Sequence, residues 1–318
     1  MHPKPPAVKP NHRITTLSQQ KRSYLAALAA ILLWSTIAVA FKTALRYLDP
    51  FQLVFCSSLV SFVFFMLINL FSGGFRDLLK SSDRKGIAQS ALLGMLNPFL
   101  YYLVLIHAYD MIPAQEAMTL NYIWPLMLAL LSVPFLRQKL GTTAFLAMIL
   151  SFSGIILIAT KGQLASLSFS ALKGDLLAAG SSIIWALYWI FNLKDDRTIP
   201  HKMFWNFFFG SVFSFLAALW FSNPFDINLN GWLSGTYLGL FEMGATFLLW
   251  LTALKLSKKT YLISQLIFLA PFISLIWIRL VLKEPVLPVT LMGLVLIVAG
   301  ILWLQWSERQ KPEGKPRK

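Results

Sequence analysis

The stretch "YIWPLMLALLSVPFLRQKL", Tyr122 to Leu140, finds an echo 146 positions later in "FLAPFISLIWIRLVLKEPV", Phe268 to Val286. Pro125 falls on Pro271 and Leu136 on Leu282. Further on, Gly154 falls on Gly300 at the same offset. Upstream, Gly94 matches Gly239 and Ala108 matches Ala253 at 145, and Trp34 matches Trp185 at 151. Identity is low, but the matches keep one order along the chain, which argues for an internal duplication.

Composition sets the medium in which the two copies fold. Hydrophobic residues make up 57% of the chain and charged residues 13%, with a mean hydropathy of +0.65. Soluble domains carry about 25% charged residues, so this chain lacks the polar surface to cover a globule. Ten apolar stretches follow one another, at 24–45, 51–72, 87–109, 113–136, 141–160, 174–193, 203–222, 232–254, 259–282 and 285–306. Each is 20 to 24 residues long, which meets the roughly 20 that a helix needs to cross a bilayer. None alternates in period two, and a barrel strand would be only about 10 residues long. Gly73-Gly74, Asn223-Pro224 and Asn230-Gly231 mark turns between them.

The reading is an all-α integral membrane protein with ten transmembrane helices, arranged as two inverted five-helix repeats, 24–160 and 161–306. A polar tail, 1–23, precedes them and a basic tail, 307–318, follows. An odd number of spans per repeat makes the second copy enter the membrane from the opposite side. Folds built that way hold substrate near the midplane, between the halves.

The formal charge of +15 is an orientation signal. Most of the 28 lysines and arginines fall in the tails and in alternate connections, while Lys42, Arg46, Lys161, Lys173, Arg279 and Lys283 lie on the other side. Lysine and arginine excess marks the cytoplasmic face, which places both termini there, and nucleic acid is not needed as a partner. The lipid bilayer is. No cleavable signal segment is evident. The single cysteine, Cys56, excludes a disulfide within the chain, and the four histidines show no ligand spacing. No metal and no cofactor is expected. Without a phosphate-cradling glycine loop, an H-E-x-x-H or a nucleophile with an assigned base, the chain does not read as an enzyme.

The polar residues inside these spans carry the functional reading, because ionisable groups in a membrane are expensive and face interiors or cavities. Glu242, about ten residues into the eighth span, stands near mid-depth; it suits a substrate amine or a proton. Its repeat equivalent is Asn97, followed by Pro98, with Tyr101 one turn on. Glu116 opens the fourth span near its outer end, where it suits the outer half of a cavity. Asn121 shares that span with Trp124 and Pro125. Pro125 and Pro271 each remove an amide hydrogen and free a carbonyl one turn back, at Asn121 and Ile267. Kinks at matched positions of two repeats suit hinges. Trp34, Trp124, Trp185, Tyr188 and Trp250 offer an apolar, stackable wall; Trp34, Trp185 and Trp250 lie too deep for an interfacial belt.

The chain from Tyr24 to Trp306 resembles the drug/metabolite transporter superfamily in its EamA-domain branch. The resemblance rests on "LLWSTIAVAFK" in the first span, on prolines in the fourth and ninth, and on "LVLKEP" followed by "GLVLIVAGILWL". Within that family, "LWST", E-x-x-x-x-N-Y-x-W-P (Glu116 to Pro125) and "IWALY" (Ile184 to Tyr188) are similar to bacterial aromatic amino acid exporters. Two positions depart: Gln138 stands where the second repeat has Glu284, and "GLFEMGATF" carries Glu242. The resemblance implies a secondary transporter exporting a small amphipathic metabolite of the amino acid class by alternating access. Its partners would be that small-molecule substrate and protons, and it would sit as a multi-pass protein in a bacterial inner membrane. The alternatives are a non-transporting assembly subunit, an intramembrane enzyme, or a transporter of drugs or of nucleotide- or lipid-linked sugars.

Overall fold

The computed structural model describes residues 12–72, 74, 77–78, 83–136, 142–159, 169–192, 195–257 and 266–309. Among the described residues every regular element is helical. Among the described residues, seven segments are long and apolar enough to cross a membrane: Gln19–Ala44, Pro50–Phe71, Arg84–Met111, Ala114–Phe135, Ala171–Asn192, Ile199–Phe221 and Leu229–Leu254. Three shorter apolar helices, Phe145–Gly154, Leu269–Leu282 and Pro288–Trp303, stand where the fifth, ninth and tenth spans are expected.

Several segments are broken into pieces. The first is α1 (His12–Ser35) and α2 (Ile37–Ala44), parted at Thr36, whose hydroxyl donates to the Leu33 carbonyl at 2.7 Å. This helix begins inside the stretch expected to be a polar tail, and its interruption carries no proline. Next come α3 (Pro50–Phe71), α4 (Arg84–Gly94), a π-type segment Met95–Leu100, and α5 (Tyr101–Met111). The fourth segment splits into α6 (Ala114–Asn121) and α7 (Trp124–Leu136), and α8 spans Thr142–Ala159.

The second half repeats the plan. It holds α9 (Phe169–Asn192), α10 (Ile199–Phe221), α11 (Leu229–Leu238), a π-type segment Gly239–Gly244, α12 (Ala245–Leu256), α13 (Leu269–Trp277), a π-type turn Ile278–Leu282, and α14 (Pro288–Arg309). Gly73, Gln138 and the start of the ninth span lie outside the described residues.

Both prolines singled out by the repeat stand just after a break. Tyr122 and Ile123 part α6 from α7, with Ile123 reaching back only three residues to Leu120. Ile267 and Phe268 precede α13 in the same way, and Ala270 bonds three residues back to Ile267.

The core is a set of antiparallel pairs. On the face between α3 and α10, Phe51 meets Phe221, Phe55 meets Phe215, Phe62 meets Phe208 and Phe65 stacks on Phe207. The ends of this pair are tied by side-chain amides. Asn69 donates to the Pro200 carbonyl at 3.0 Å, and Gln52 to the Asn223 carbonyl at 2.8 Å. Asp49 caps α3 by accepting from the amides of Phe51 and Gln52, and it also takes the Ser222 hydroxyl.

Two glycines seat the π-type segments on this pair. A Cβ on Gly94 would lie 2.5 Å from the Asn206 carbonyl oxygen, and one on Gly239 2.6 Å from that of Ser57. Only glycine allows backbones so close. Ser61 adds a hydrogen bond to the Gly239 carbonyl, at 2.8 Å.

Candidate functional site

Two of the π-type stretches, Met95–Leu100 and Gly239–Gly244, undo the helix ladder at matched positions of the repeat. At Asn97 the backbone turns extended (φ −153°, ψ 120°), and Pro98 after it rests on Gly210. In the second half no proline breaks the helix; the irregularity lies between Gly239 and Gly244, and the Thr246 hydroxyl donates to the Phe241 carbonyl across it. Such π-type irregularities inside α-helices are frequent at functional positions.

Glu242 projects from the second segment into the protein, 6% exposed. Its Oε1 accepts a hydrogen bond from the Tyr102 hydroxyl at 2.9 Å, from the other half of the chain. Its Oε2 makes no hydrogen bond of good geometry among the described residues, although the Trp34 indole also bears on the carboxylate. An isolated buried acceptor costs about 1–3 kcal/mol, so a carboxylate left half-satisfied here is suited to a donor that comes and goes. Asn97, 2% exposed, leaves both its amide nitrogen and its amide oxygen unpartnered among the described residues.

Aromatic rings join around this carboxylate. Tyr102 meets Tyr101 at 4.7 Å between centroids, and Tyr101 lies on Trp185 at 4.5 Å. Trp185 reaches Tyr188 at 6.1 Å and Phe247 at 5.7 Å. Phe247 takes Trp34 edge-on at 6.3 Å, and Trp34 lies against Trp250 at 5.5 Å. The two repeat-matched tryptophans, Trp34 and Trp185, therefore meet the same ring.

A polar relay borders that wall. The Tyr101 hydroxyl donates to Asn121 Oδ1 at 3.2 Å, and Asn121 Nδ2 donates to Ser181 Oγ at 2.8 Å. Asn121 is the last residue of α6 before the break.

The structure thus brings together Glu242, Tyr101, Asn121, Trp34, Trp185, Tyr188 and Trp250. Trp124 is half-buried and packs on the core, but it is not part of that chain of rings. Glu116 is buried in the first turn of α6, five residues before Asn121 or about 7.5 Å along the helix axis. Pro271 is buried in α13, and Pro125 stands in the first turn of α7.

Tyr102, Phe247 and Ser181 were not among the residues expected from sequence. Tyr102 could have been found through the repeat, since 145 positions separate it from Phe247 and Asn97 from Glu242.

A second polar cluster closes one end of α6. Both Glu284 carboxylate oxygens accept from the Ala114 amide, at 3.4 and 3.1 Å. Gln115 donates to the Pro285 carbonyl at 2.9 Å and accepts from the Leu287 amide at 3.2 Å. A carboxylate there neutralises an open amide and faces the positive end of the helix. Lys42 adds a charge beside it.

Comparison with known proteins agrees with this architecture. An uncharacterized transporter of Archaeoglobus fulgidus is 24% identical over 284 residues, covering 88% of this chain and 96% of its own. The Bacillus subtilis uncharacterized transporter YyaM is 24% identical over 249 residues, covering 74% and 78%. The aromatic amino acid exporter YddG of Ancylobacter novellus is 23% identical over 247 residues, covering 77% and 83%. A solved crystal structure with 21% sequence identity shares the fold, with a TM-score of 0.66 over 92% of this chain and 99% of its own. The model of the EamA-like transporter family matches twice, at residues 21–160 and 172–306, and the chain belongs to that family.

Proposed function

We propose that this chain is a secondary transporter exporting a small amphipathic amine of the amino acid class, with an aromatic or other large apolar side chain. The observation that carries the reading is Glu242. It is buried at a helix irregularity, held on one oxygen by Tyr102, without a well-formed hydrogen bond on the other, where the Trp34 indole is a neighbour, and bordered by aromatic rings from both halves. An ammonium group would pair with Oε2, the apolar part would lie along Trp34, Trp185 and Phe247, and the Asn121–Ser181 relay would take the remaining polar group. Ammonium beside aromatic faces gains from the ring quadrupole as well as from the carboxylate.

The transport cycle in this reading is alternating access through ten membrane crossings, with the second five-helix repeat inverted relative to the first. Antiparallel packing of α8 on α14 and of α3 on α10 supports it, as do paired breaks before Pro125 and Pro271, which serve as hinges. Both termini face the cytoplasm of a bacterial inner membrane. Glu116 lies along the same path, toward the Glu284 end of α6, and Trp124 lines the approach. Protons are the second partner if Glu242 exchanges one during the cycle.

The test is exchange of labelled aromatic amino acids by purified protein in liposomes, comparing wild type with Glu242→Gln. Loss of counterflow assigns Glu242 to the substrate amine; loss of pH-driven flux alone assigns it to the proton. Unchanged rates in both modes would remove Glu242 from the mechanism. A second reading keeps the site but changes the cargo to an organic cation, which the ring-lined carboxylate also suits. Exchange of such cations with none of amino acids would decide for it.

A further inference from the structure

We infer that the face between α2 and α11 holds one acyl chain of an anionic phospholipid, with its phosphate at Arg46. A groove of about 380 Å³ opens there, within the size of small-molecule sites. Its walls are Val39 and Ala40 from α2, Leu233 from α11, and Trp277 and Val281 at the end of the ninth segment. Its polar lining is Thr36, Thr43, Ser234 and Tyr237, with Thr36 and the Tyr237 hydroxyl sharing a hydrogen bond of 2.7 Å. The walls come from two segments of membrane-spanning length and one shorter apolar helix, and Leu233, Trp277 and Val281 are exposed, as a lipid-facing groove requires.

The groove has a chemical polarity along its length. Val39, Thr43 and Arg46 follow one another at intervals of four and three, and the Arg46 amide bonds back to the Thr43 carbonyl at 3.2 Å. Arg46 therefore stands one turn beyond Thr43 on the groove side, and it is exposed. On α11, Asn230 precedes Ser234 by four residues, and it is exposed too. Arg279 and Lys283 add exposed positive charge at the same end, where α2 packs against Ile278–Leu282. Of the acids on this side, Asp49 caps α3 and Glu284 takes the Ala114 amide, while Asp226, before α11, is exposed. An apolar trough that ends in a guanidinium and an amide matches an acyl chain that ends in a phosphodiester. A guanidinium holds a phosphate oxygen through charge-assisted hydrogen bonds, which suits Arg46 to the headgroup.

Glu242 does not line the groove, and the test needs no transport assay. Purified protein in detergent is titrated with phosphatidylglycerol and with phosphatidylcholine of identical chains, and retained lipid is counted by native mass spectrometry. Wild type should keep one phosphatidylglycerol at concentrations at least tenfold below those needed for phosphatidylcholine. Arg46→Ala, a change of an exposed side chain, should abolish that preference. Ala40→Trp should expel the bound lipid whatever its headgroup, while Leu216→Trp, on the exposed face of α10, should leave it in place. Melting in detergent confirms that each variant folds. Equal retention of the two lipids by wild type, or unchanged selectivity in Arg46→Ala, overturns the proposal. So does a folded Ala40→Trp that keeps its phosphatidylglycerol.

Discussion

Ser151 donates its hydroxyl hydrogen to the Ile297 carbonyl at 3.2 Å, and the two residues are 146 positions apart. Around that bond the contacts of α8 and α14 are self-complementary. A Cβ on Gly154, three residues after Ser151, would lie 2.5 Å from the carbonyl of Gly293, four residues before Ile297. A Cβ on Gly300, three after Ile297, would lie 2.6 Å from the carbonyl of Ala147, four before Ser151. Such reciprocity is what a local two-fold axis across an antiparallel pair produces. The bond joins the two members of one repeat position, so the axis passes close to it.

This seam has no slack, because the atoms in the way are backbone carbonyls. Gly154→Ala and Gly300→Ala should each destabilise the protein by about 1–3 kcal/mol, the cost of overpacking. Symmetry predicts similar costs at the two sites. Gly180 is the control: nothing lies within 4 Å of a Cβ built there. Gly180→Ala should be neutral, or stabilise by up to about 1 kcal/mol from helix propensity. Unfolding midpoints in one detergent rank the three; a Gly300→Ala as stable as Gly180→Ala would refute the close seam.

Tyr102 should matter to the fold more than the charge of Glu242 does. Tyr102→Phe removes the hydroxyl that satisfies Oε1 and leaves a buried carboxyl with less support, at about 1–3 kcal/mol. Glu242→Gln keeps an amide oxygen in the place where that hydroxyl donates, so its cost should be smaller. A double-mutant cycle of Tyr102→Phe with Glu242→Leu, which removes the acceptor, read by thermal unfolding, should show a coupling of at least about 0.5 kcal/mol. Strict additivity would mean that the 2.9 Å contact contributes nothing.

Much of this was legible before any coordinates, for identifiable reasons. Hydropathy alone marks where the apolar helices lie, since a membrane helix satisfies its backbone within itself. The glycine and proline matches survive in the repeat because close backbones and broken ladders tolerate few substitutes. The break at Thr36 and the π-type segment at Gly239–Gly244 were not legible, for neither contains a proline. The site was readable only in part. Asn97 pairs with Glu242 by the repeat, but the partner of Glu242 comes from 140 residues away, and no local spacing gives that. Where the repeats differ chemically, Asn97 against Glu242 and Tyr102 against Phe247, the pseudo-symmetric scaffold becomes a polar pair on one side and a ring on the other.

Glu284 should hold the first turn of α6 in place. It satisfies an open helix amide as a capping residue does, and losing such a partner costs about 0.5–2 kcal/mol. Glu284→Ala should therefore speed hydrogen exchange at Ala114 to Ala117 by several-fold, while α3 amides keep their wild-type protection. Glu284→Gln retains an acceptor and should fall between. Unchanged exchange at Ala114 in the alanine variant would show that Gln115 alone secures this end.

The connection between α9 and α10 should show an acid limb. Asp195 is buried, which disfavours its charge, yet Arg197 outweighs that burial. The guanidinium donates to the carboxylate at 2.6 and 2.9 Å, the Arg197 amide adds a third bond at 3.1 Å, and Lys202 contributes charge. The carboxyl is thereby held below its ordinary range. A group whose pKa is depressed on folding stabilises the fold above its unfolded value, about 3.9 for aspartate, and loses that contribution as pH falls through the folded value. Melting temperature should therefore be insensitive to this pair between about pH 7 and 5 and decline below about pH 4. Asp195→Asn should flatten that decline. Arg197→Ala should be the more damaging change at neutral pH, by about 3 kcal/mol, since it leaves a buried carboxylate without its cation. It also removes the 2.6 Å bond from Arg197 to Ser90 Oγ, which ties this connection to α4. If melting curves of wild type and Asp195→Asn run parallel from pH 7 down to 3, the pair carries no pH-linked stability.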